Sequence, residues 1–493
     1  MGENRWKLLL QLCVSFWLPL CQTDCPYAEC FCIGEIVSCS YTHLQAIPQL
    51  VYTNASIQWS LTIDTNNISR IPAGSLPPNL RDIYLNENPI TAIDDNAFDD
   101  SIFTLTTVYL SSFRFTRLPD AIGHLRSLNF LSIAAANITD WNEAVWVNIG
   151  QTLKSLELDT VGFTEWPSWI RHCTQLTNLI IVRNSFSSIP DGALDSVAHN
   201  LIGLELNNNQ LTMVPKALSN LNSLQTLNLQ NNRITDIRWL PQNSKLSTLS
   251  LSFNYIWNAT QLSEVLSPYN TSLEGFDIDN NHLTSIPDIS YLVNVRALDF
   301  AHNKISDPIS GAVASDTFML DLYYNSLPYV PKMLSKLLLL TTMSLSNNAI
   351  RAIRETDFHL NTTSIVIDFN LITELTDTSF PENFGLQGLY LNNNPLISIS
   401  SLALQHLPSL QFLDLRFTKL ARLPLGLRYL KSLVSLDVSN STLLVCTCME
   451  SSLRTWVMNL NPVYIYGSCG QTSVNVFFSV LSPLCPASAE TLL

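Results

Sequence analysis

The chain has 493 residues, 46% hydrophobic and 13% charged, with 40 acidic against 26 basic side chains and a formal charge of −14. That balance excludes a nucleic-acid binder working through phosphate neutralisation, because an acidic chain without a local basic stripe repels phosphates. Charged residues reach about half of the roughly 25% usual in soluble domains, so Asn, Ser and Thr carry much of the polar surface. The abundance of Leu, Ile, Phe and Trp argues against disorder.

Residues 1–23 read as a secretory signal: Arg5 and Lys7 precede an apolar run from Leu8 to Leu20, too short for a membrane span, and Cys21 and Thr23 stand at cleavage spacing. Eleven cysteines in a secreted chain point to disulfides, and removal of Cys13 and Cys21 with the signal leaves nine. No later segment offers the roughly 18 apolar residues of a membrane helix, and the C-terminus lacks the apolar tail of a lipid anchor. The expectation is a secreted, extracellular protein with no membrane insertion. Seven Asn-x-Ser/Thr sequons, at Asn54, Asn67, Asn137, Asn258, Asn270, Asn361 and Asn440, agree with passage through the secretory pathway.

From about residue 56 one pattern dominates, L-x-x-L-x-L-x-x-N-x-L, clearest at Leu201, Leu204, Leu206, Asn209, Leu211 and again at Leu224, Leu227, Leu229, Asn232, Ile234. Aligned on the Asn slot, it gives seventeen registers: Asn66, Asn88, Phe113, Ala136, Val161, Asn184, Asn209, Asn232, Asn254, Asn281, Asn303, Asn325, Asn348, Asn370, Asn394, Thr418 and Ser441. Steps of 22 to 27 residues match or approach the period of leucine-rich repeats. The L-x-L alternation puts two apolar side chains inward and one residue outward, so each repeat contributes one short strand to a parallel sheet. An Asn amide has both donor and acceptor atoms, and stacked slots predict a ladder to buried backbone groups. Ile-Pro or Leu-Pro pairs such as Leu118-Pro119 and Leu423-Pro424 predict an extended turn on the return side.

The ends carry the resemblance. Cys25-x4-Cys30-x-Cys32-x6-Cys39 is similar to an N-flanking cap, and Cys446-x-Cys448 with Trp456, Cys469 and Cys485 to a C-flanking cap. The chain thus resembles extracellular leucine-rich-repeat proteins with cysteine-rich flanking caps. The resemblance implies an α/β solenoid of about 17 repeats with a curved parallel β-sheet on its concave face. Its divisions are a cap over residues 24–55, the solenoid over 56–443 and a second cap over 444–493. It also implies the pairs Cys25–Cys32, Cys30–Cys39, Cys446–Cys469 and Cys448–Cys485, where spacing alone allows three pairings in each cap. The sequence departs from the family in lacking an Asn-Pro-Trp lead-in to the second cap. Five slots lack Asn, which suggests looser terminal repeats.

No nucleophile elbow, phosphate-cradling Gly loop, His-Glu-x-x-His helix or Cys-x-x-Cys pair occurs, so no catalytic residue, cofactor or metal is expected. Cys173 falls in register with Leu125 and reads as a buried core thiol. Outward sheet positions are free of packing, and there Asp277, Asp299 and Asp321 follow one another in successive repeats. Asp279, Tyr323, His302 and Tyr324 stand beside them. Like charges on adjacent strands are unfavourable, which suggests a cause other than stability.

Three readings of this row stay open: a solvated face partly neutralised by Arg296 and Lys304, a protein-binding patch of Asp277, Asp279, Asp299, Asp321, Tyr323 and Tyr324, and a shared calcium ion. Asp64, Tyr84, Glu87 and Tyr109 form a second candidate. The expected function is non-enzymatic binding of a protein ligand or receptor through the concave sheet. The alternative is a non-catalytic scaffold subunit of a secreted enzyme complex.

Overall fold

The computed structural model describes residues 25–54, 56–459 and 464–485. The segment read as a signal, with Cys13 and Cys21, lies outside them. Chain contacts define two units: one runs to Asn228 and takes in Trp239–Ser244, and the other comprises Leu229–Arg238 and everything from Lys245.

The first unit opens with an antiparallel pair, Phe31–Ile33 against Ile36–Ser38, and from there pairing is parallel. The strands follow in chain order: Trp59–Thr62, Leu80–Tyr84, Thr107–Ser111, Phe130–Ala134, Ser155–Asp159, Asn178–Val182, Gly203–Glu205 and Thr226–Asn228. In the second unit the parallel order is Thr248–Ser250, Gly275–Asp277, Ala297–Asp299, Met319–Asp321, Thr342–Ser344, Ser364–Val366, Gly388–Tyr390, Phe412–Asp414, Ser435–Asp437 and Ile465–Tyr466. The L-x-L leucines of these strands are buried, among them Leu249, Leu251, Leu298 and Leu320. Among the described residues four return segments are 3₁₀ turns entered through proline, such as Lys216–Asn220 after Pro215 and Leu425–Tyr429 after Pro424. Proline supplies the extended residue before each turn and needs no donor there.

Neighbouring coils are tied by the slot asparagines. Asn394, 1% exposed, donates through Nδ2 to the carbonyls of Ile367 and Leu391, each at 3.0 Å, while its Oδ1 accepts the Ile372 N–H at 3.0 Å. Asn88, Asn254, Asn303 and Asn370 repeat the arrangement. One side chain satisfies buried groups of two coils, which neither Leu nor Asp does, since Leu has no polar atom and ionised Asp no donor.

Slots without Asn are packed rather than loosened, contrary to expectation. Phe113, Ala136 and Val161 are buried, with Phe113 stacked on Phe115 at 3.9 Å. Thr418 and Ser441 use hydroxyls, both donating to the Leu415 carbonyl.

The residue before every one of the seventeen slots has a left-handed backbone, with φ between 48° at Ala135 and 61° at Asn440, and none of them is glycine. This geometry turns the chain out of the strand while its N–H still donates to the next coil, as Glu87 does to Ser111 and Tyr324 to Ser346. L-residues other than Asn and Asp resist this region by roughly 1–2 kcal/mol.

The ends are closed by the disulfides Cys25–Cys32, Cys30–Cys39, Cys446–Cys469 and Cys448–Cys485, the pairs carried over by resemblance. In the C-terminal cap, Glu450, 1% exposed, is bound by Arg422 Nε at 2.6 Å, and Trp456 Nε1 donates to the Leu430 carbonyl at 3.1 Å. Each covers the last coils with a satisfied polar contact, as a buried charge requires.

Two outcomes follow. Asn394→Ala strands three buried backbone groups and should cost about 3 kcal/mol in urea unfolding, at the low end of about 1–3 kcal/mol per orphaned group. Ala135→Asn, at an exposed left-handed position, should instead raise stability by roughly 0.5–1 kcal/mol.

Candidate interaction face

The ladder register fixes which outward residues are neighbours. In the second unit Ser250, Asp277, Asp299, Asp321 and Ser344 are successive partners, so the three carboxylates stand directly across from one another on strands about 4.8 Å apart. Burial between strands, then the neighbouring carboxylates, pushes Asp277 and Asp299 above the ordinary carboxylate range.

These side chains also have local work. The Ala301 N–H donates to Asp299 Oδ1 at 2.8 Å, and the Tyr323 N–H to Asp321 Oδ1 at 2.8 Å. Asp414 and Asp437 make the same bond to the N–H groups of Arg416 and Ser439. An acidic side chain at the strand end captures the N–H two residues on, where the chain turns away. The expectation that stability offers Asp nothing here is therefore corrected for Asp299 and Asp321. Asp277 lacks that bond and takes one from the Ser250 hydroxyl. Asp279 accepts from the Ser252 hydroxyl and from Asn280 Nδ2.

The expected neutralisation is not formed. Arg296 faces Asp316 at 3.5 Å, and among the described residues neither it nor Lys304 makes an ion pair with the Asp row. Tyr323 and Tyr324 lie past the end of their strand, where His302 meets Tyr323 edge-on at 5.1 Å and stacks on Tyr324 at 4.8 Å. The structure thus brings Asp277, Asp299 and Asp321 into one row and sets Asp279 and the tyrosines along its edge. Among the described residues no group of three or more His, Cys, Asp or Glu is placed to hold a metal ion.

In the first unit Tyr84 stacks on Tyr109 at 4.7 Å, and Tyr109 meets Phe130 at 4.8 Å. Asp64 accepts the Asn86 N–H at 2.7 Å, and Glu87 accepts the Thr65 hydroxyl at 2.9 Å, so both carboxylates are engaged within the fold. Sequence reasoning overlooked the left-handed row altogether, although its frequent Asn (Asn208, Asn231, Asn280, Asn347, Asn393, Asn440) was a signal. In that row the second unit exposes Phe253, Tyr324, Phe369 and Phe417.

Elsewhere, Cys173 is buried and unpaired, its N–H bonded to Ile170 as that of Leu125 is to Ile122, and burial pushes its thiol up to about 12. None of the seven sequon asparagines lies within a strand; Asn67, Asn137, Asn270, Asn361 and Asn440 are exposed, and Asn258 caps the helix Ala259–Leu266. Among the described residues no helix is long and apolar enough to cross a membrane.

A leucine rich repeat family model matches residues 174–234 and 361–420, and a two-copy leucine rich repeats model matches 222–264. Podocan of Mus musculus is 30% identical over 272 residues, 53% of this chain and 39% of podocan. Lumican of Coturnix japonica is 26% identical over 224 residues, 43% of this chain and 62% of lumican. The chain therefore spans less than two thirds of the length of either relative. Two solved structures share the fold: a leucine-rich-repeat protein of Leptospira interrogans (TM-score 0.54, 24% identity, 78% of this chain and 90% of that one) and TLR13 in its complex with ssRNA13 (TM-score 0.57, 18% identity, 84% and 72%). The repeat register, the amide ladder, the disulfide-closed ends and these matches agree: the chain carries leucine-rich repeats closed by disulfides at both ends and is similar to leucine-rich-repeat proteins such as podocan and lumican.

Proposed function

We propose that this chain is a secreted, extracellular, non-enzymatic protein that binds a macromolecular partner, a protein, through the outward face of its sheet. The contact patch comprises Asp277, Asp279, Asp299, Asp321, Tyr323 and Tyr324. The observation that carries the reading is the register itself, which sets three carboxylates opposite one another with no cation paired to them among the described residues. Asx turns explain Asp299 and Asp321 individually, but not Asp277, nor the concentration of charge beside half-buried tyrosine. Such a surface favours a basic partner: the charges speed association and the aromatics lengthen residence. Disulfides support an oxidising compartment. Glycans at the seven sequons would leave the strands uncovered. No observation favours the scaffold-subunit alternative.

The test starts from capture of partners by the glycosylated secreted protein, followed by association kinetics of the triple variant Asp277→Asn, Asp299→Asn, Asp321→Asn. Asn keeps an Oδ1 to accept the Ala301 and Tyr323 N–H groups, so the fold should hold. Because Asp277 and Asp299 are pushed up, the folded state binds their protons more tightly than the unfolded chain does. Their ionisation therefore costs stability as pH rises through the raised values, and the variant should match or exceed the parent in Tm at neutral pH, with the advantage vanishing near about pH 3. Partner association should slow and lose its salt dependence; unchanged kinetics would remove the Asp row from the contact.

A further inference from the structure

Beyond the strand ends of the second unit lies an open hollow of about 540 Å³, lined chiefly by Phe253, Tyr255, His282, His302, Lys304 and Tyr324 together with asparagines of the slot and left-handed rows. Three aromatic faces are offered to solvent, with Phe253 and Tyr255 each 47% exposed and Tyr324 56%. The rings are braced in pairs, Tyr255 with His282 at 5.2 Å and His302 with Tyr324 at 4.8 Å. Phe253 and Tyr324 hold left-handed φ of 56° and 54°, where bulky side chains are steric outliers and where six other coils place Asn. Local strain at an exposed position gives the fold nothing, so a use outside the fold accounts better for aromatics there.

The charge of the lining narrows that use. In a chain of net charge −14 the lining contains no Asp or Glu, and its formal cation is Lys304, which makes no ion pair among the described residues. A single ammonium balances the one charge of a carboxylate, whereas a phosphate monoester would bring nearly two charges into a strongly acidic chain. An open hollow cannot desolvate a wholly apolar ring. Aromatic faces alternating with amides and imidazoles instead fit a ring with an apolar C–H face and a hydroxylated rim.

We propose that this hollow binds an acidic sugar, a uronate within an oligosaccharide, its ring lying on Phe253, Tyr255 and Tyr324 and its carboxylate meeting Lys304. The site shares Tyr324 with the protein-binding patch but does not rest on it. Burial, and then Lys304, hold His282 below its usual range, which favours the neutral imidazole that can donate or accept a hydroxyl bond.

The probe is a hexasaccharide of alternating glucuronate and N-acetylglucosamine, titrated into the full secreted chain by calorimetry and saturation-transfer NMR. It is offered free and linked through serine to a short peptide, and the tighter of the two identifies the source of the sugar. The carboxyl-reduced hexasaccharide should bind at least about tenfold more weakly, as should Lys304→Gln acting on the native sugar. Phe253→Asn should abolish transfer to the ring protons while melting at or above the parent temperature, since Asn tolerates the left-handed backbone. Absence of binding by either form at millimolar sugar, equal binding of the reduced sugar, or undiminished binding to a folded Phe253→Asn variant would overturn the proposal. Neither Phe253 nor Lys304 belongs to the Asp row, so this failure is distinct from failure of the protein-binding reading.

Discussion

The side-chain amide of asparagine, with donor and acceptor on one short planar group, is the constraint on which the rest of this molecule depends. A strand of three residues has too few ladder bonds to hold a coil in place, and the chain must then leave the sheet with its backbone groups already out of water. Asn254 answers both needs: Nδ2 reaches the Leu229 and Leu251 carbonyls at 3.0 Å each, and Oδ1 receives the Ile234 N–H at 2.9 Å. Leucines fill the space inside, and their burial supplies the driving force, but burial has no direction. The amide fixes the spacing and phase of one coil against the next.

Turning the amide inward requires the left-handed residue before it, and this couples architecture to surface. Where that residue is Asn, the turn is nearly free of strain. Where it is Phe253, Tyr324, Phe369 or Phe417, the same turn presents an aromatic ring to solvent at a backbone cost. The strand-end Asp at the preceding outward position is coupled too, since its side chain takes the N–H two residues on. The same sequence slots that build the coil thus decide what its sheet face and its edge offer to a partner.

Much of this was legible in the residues. The L-x-L alternation located the strands, and the outward positions read from it, including Asp277, Asp299 and Asp321, are successive ladder partners within their unit. Cys173 was readable as a core position because its heptapeptide superposes on that of Leu125. What escaped was whatever depends on backbone conformation rather than side-chain type. The left-handed position is Asn in six coils but accepts Thr65, Glu87, Ala135, Arg183 and Phe369 as well, so composition marks it only in part. Pairing of charges escaped as well: Arg296 is near the Asp row in sequence, yet its side chain turns to Asp316. The apolar slots Phe113, Ala136 and Val161 were misjudged because absence of an amide was read as absence of order, whereas packing replaces it.

Native-state hydrogen exchange measures the amide constraint most directly. The N–H groups of Ile256, Leu283, Ile305, Ile350 and Ile372 lie outside the strands, and each donates to the Oδ1 of the next slot asparagine at 2.9 to 3.0 Å. If those amides clamp the coils, these five should be as protected as the strand amides of Leu298 and Leu320 and should open only with them. Exchange at the rate of solvated turns, while the strands remain protected, would contradict the account.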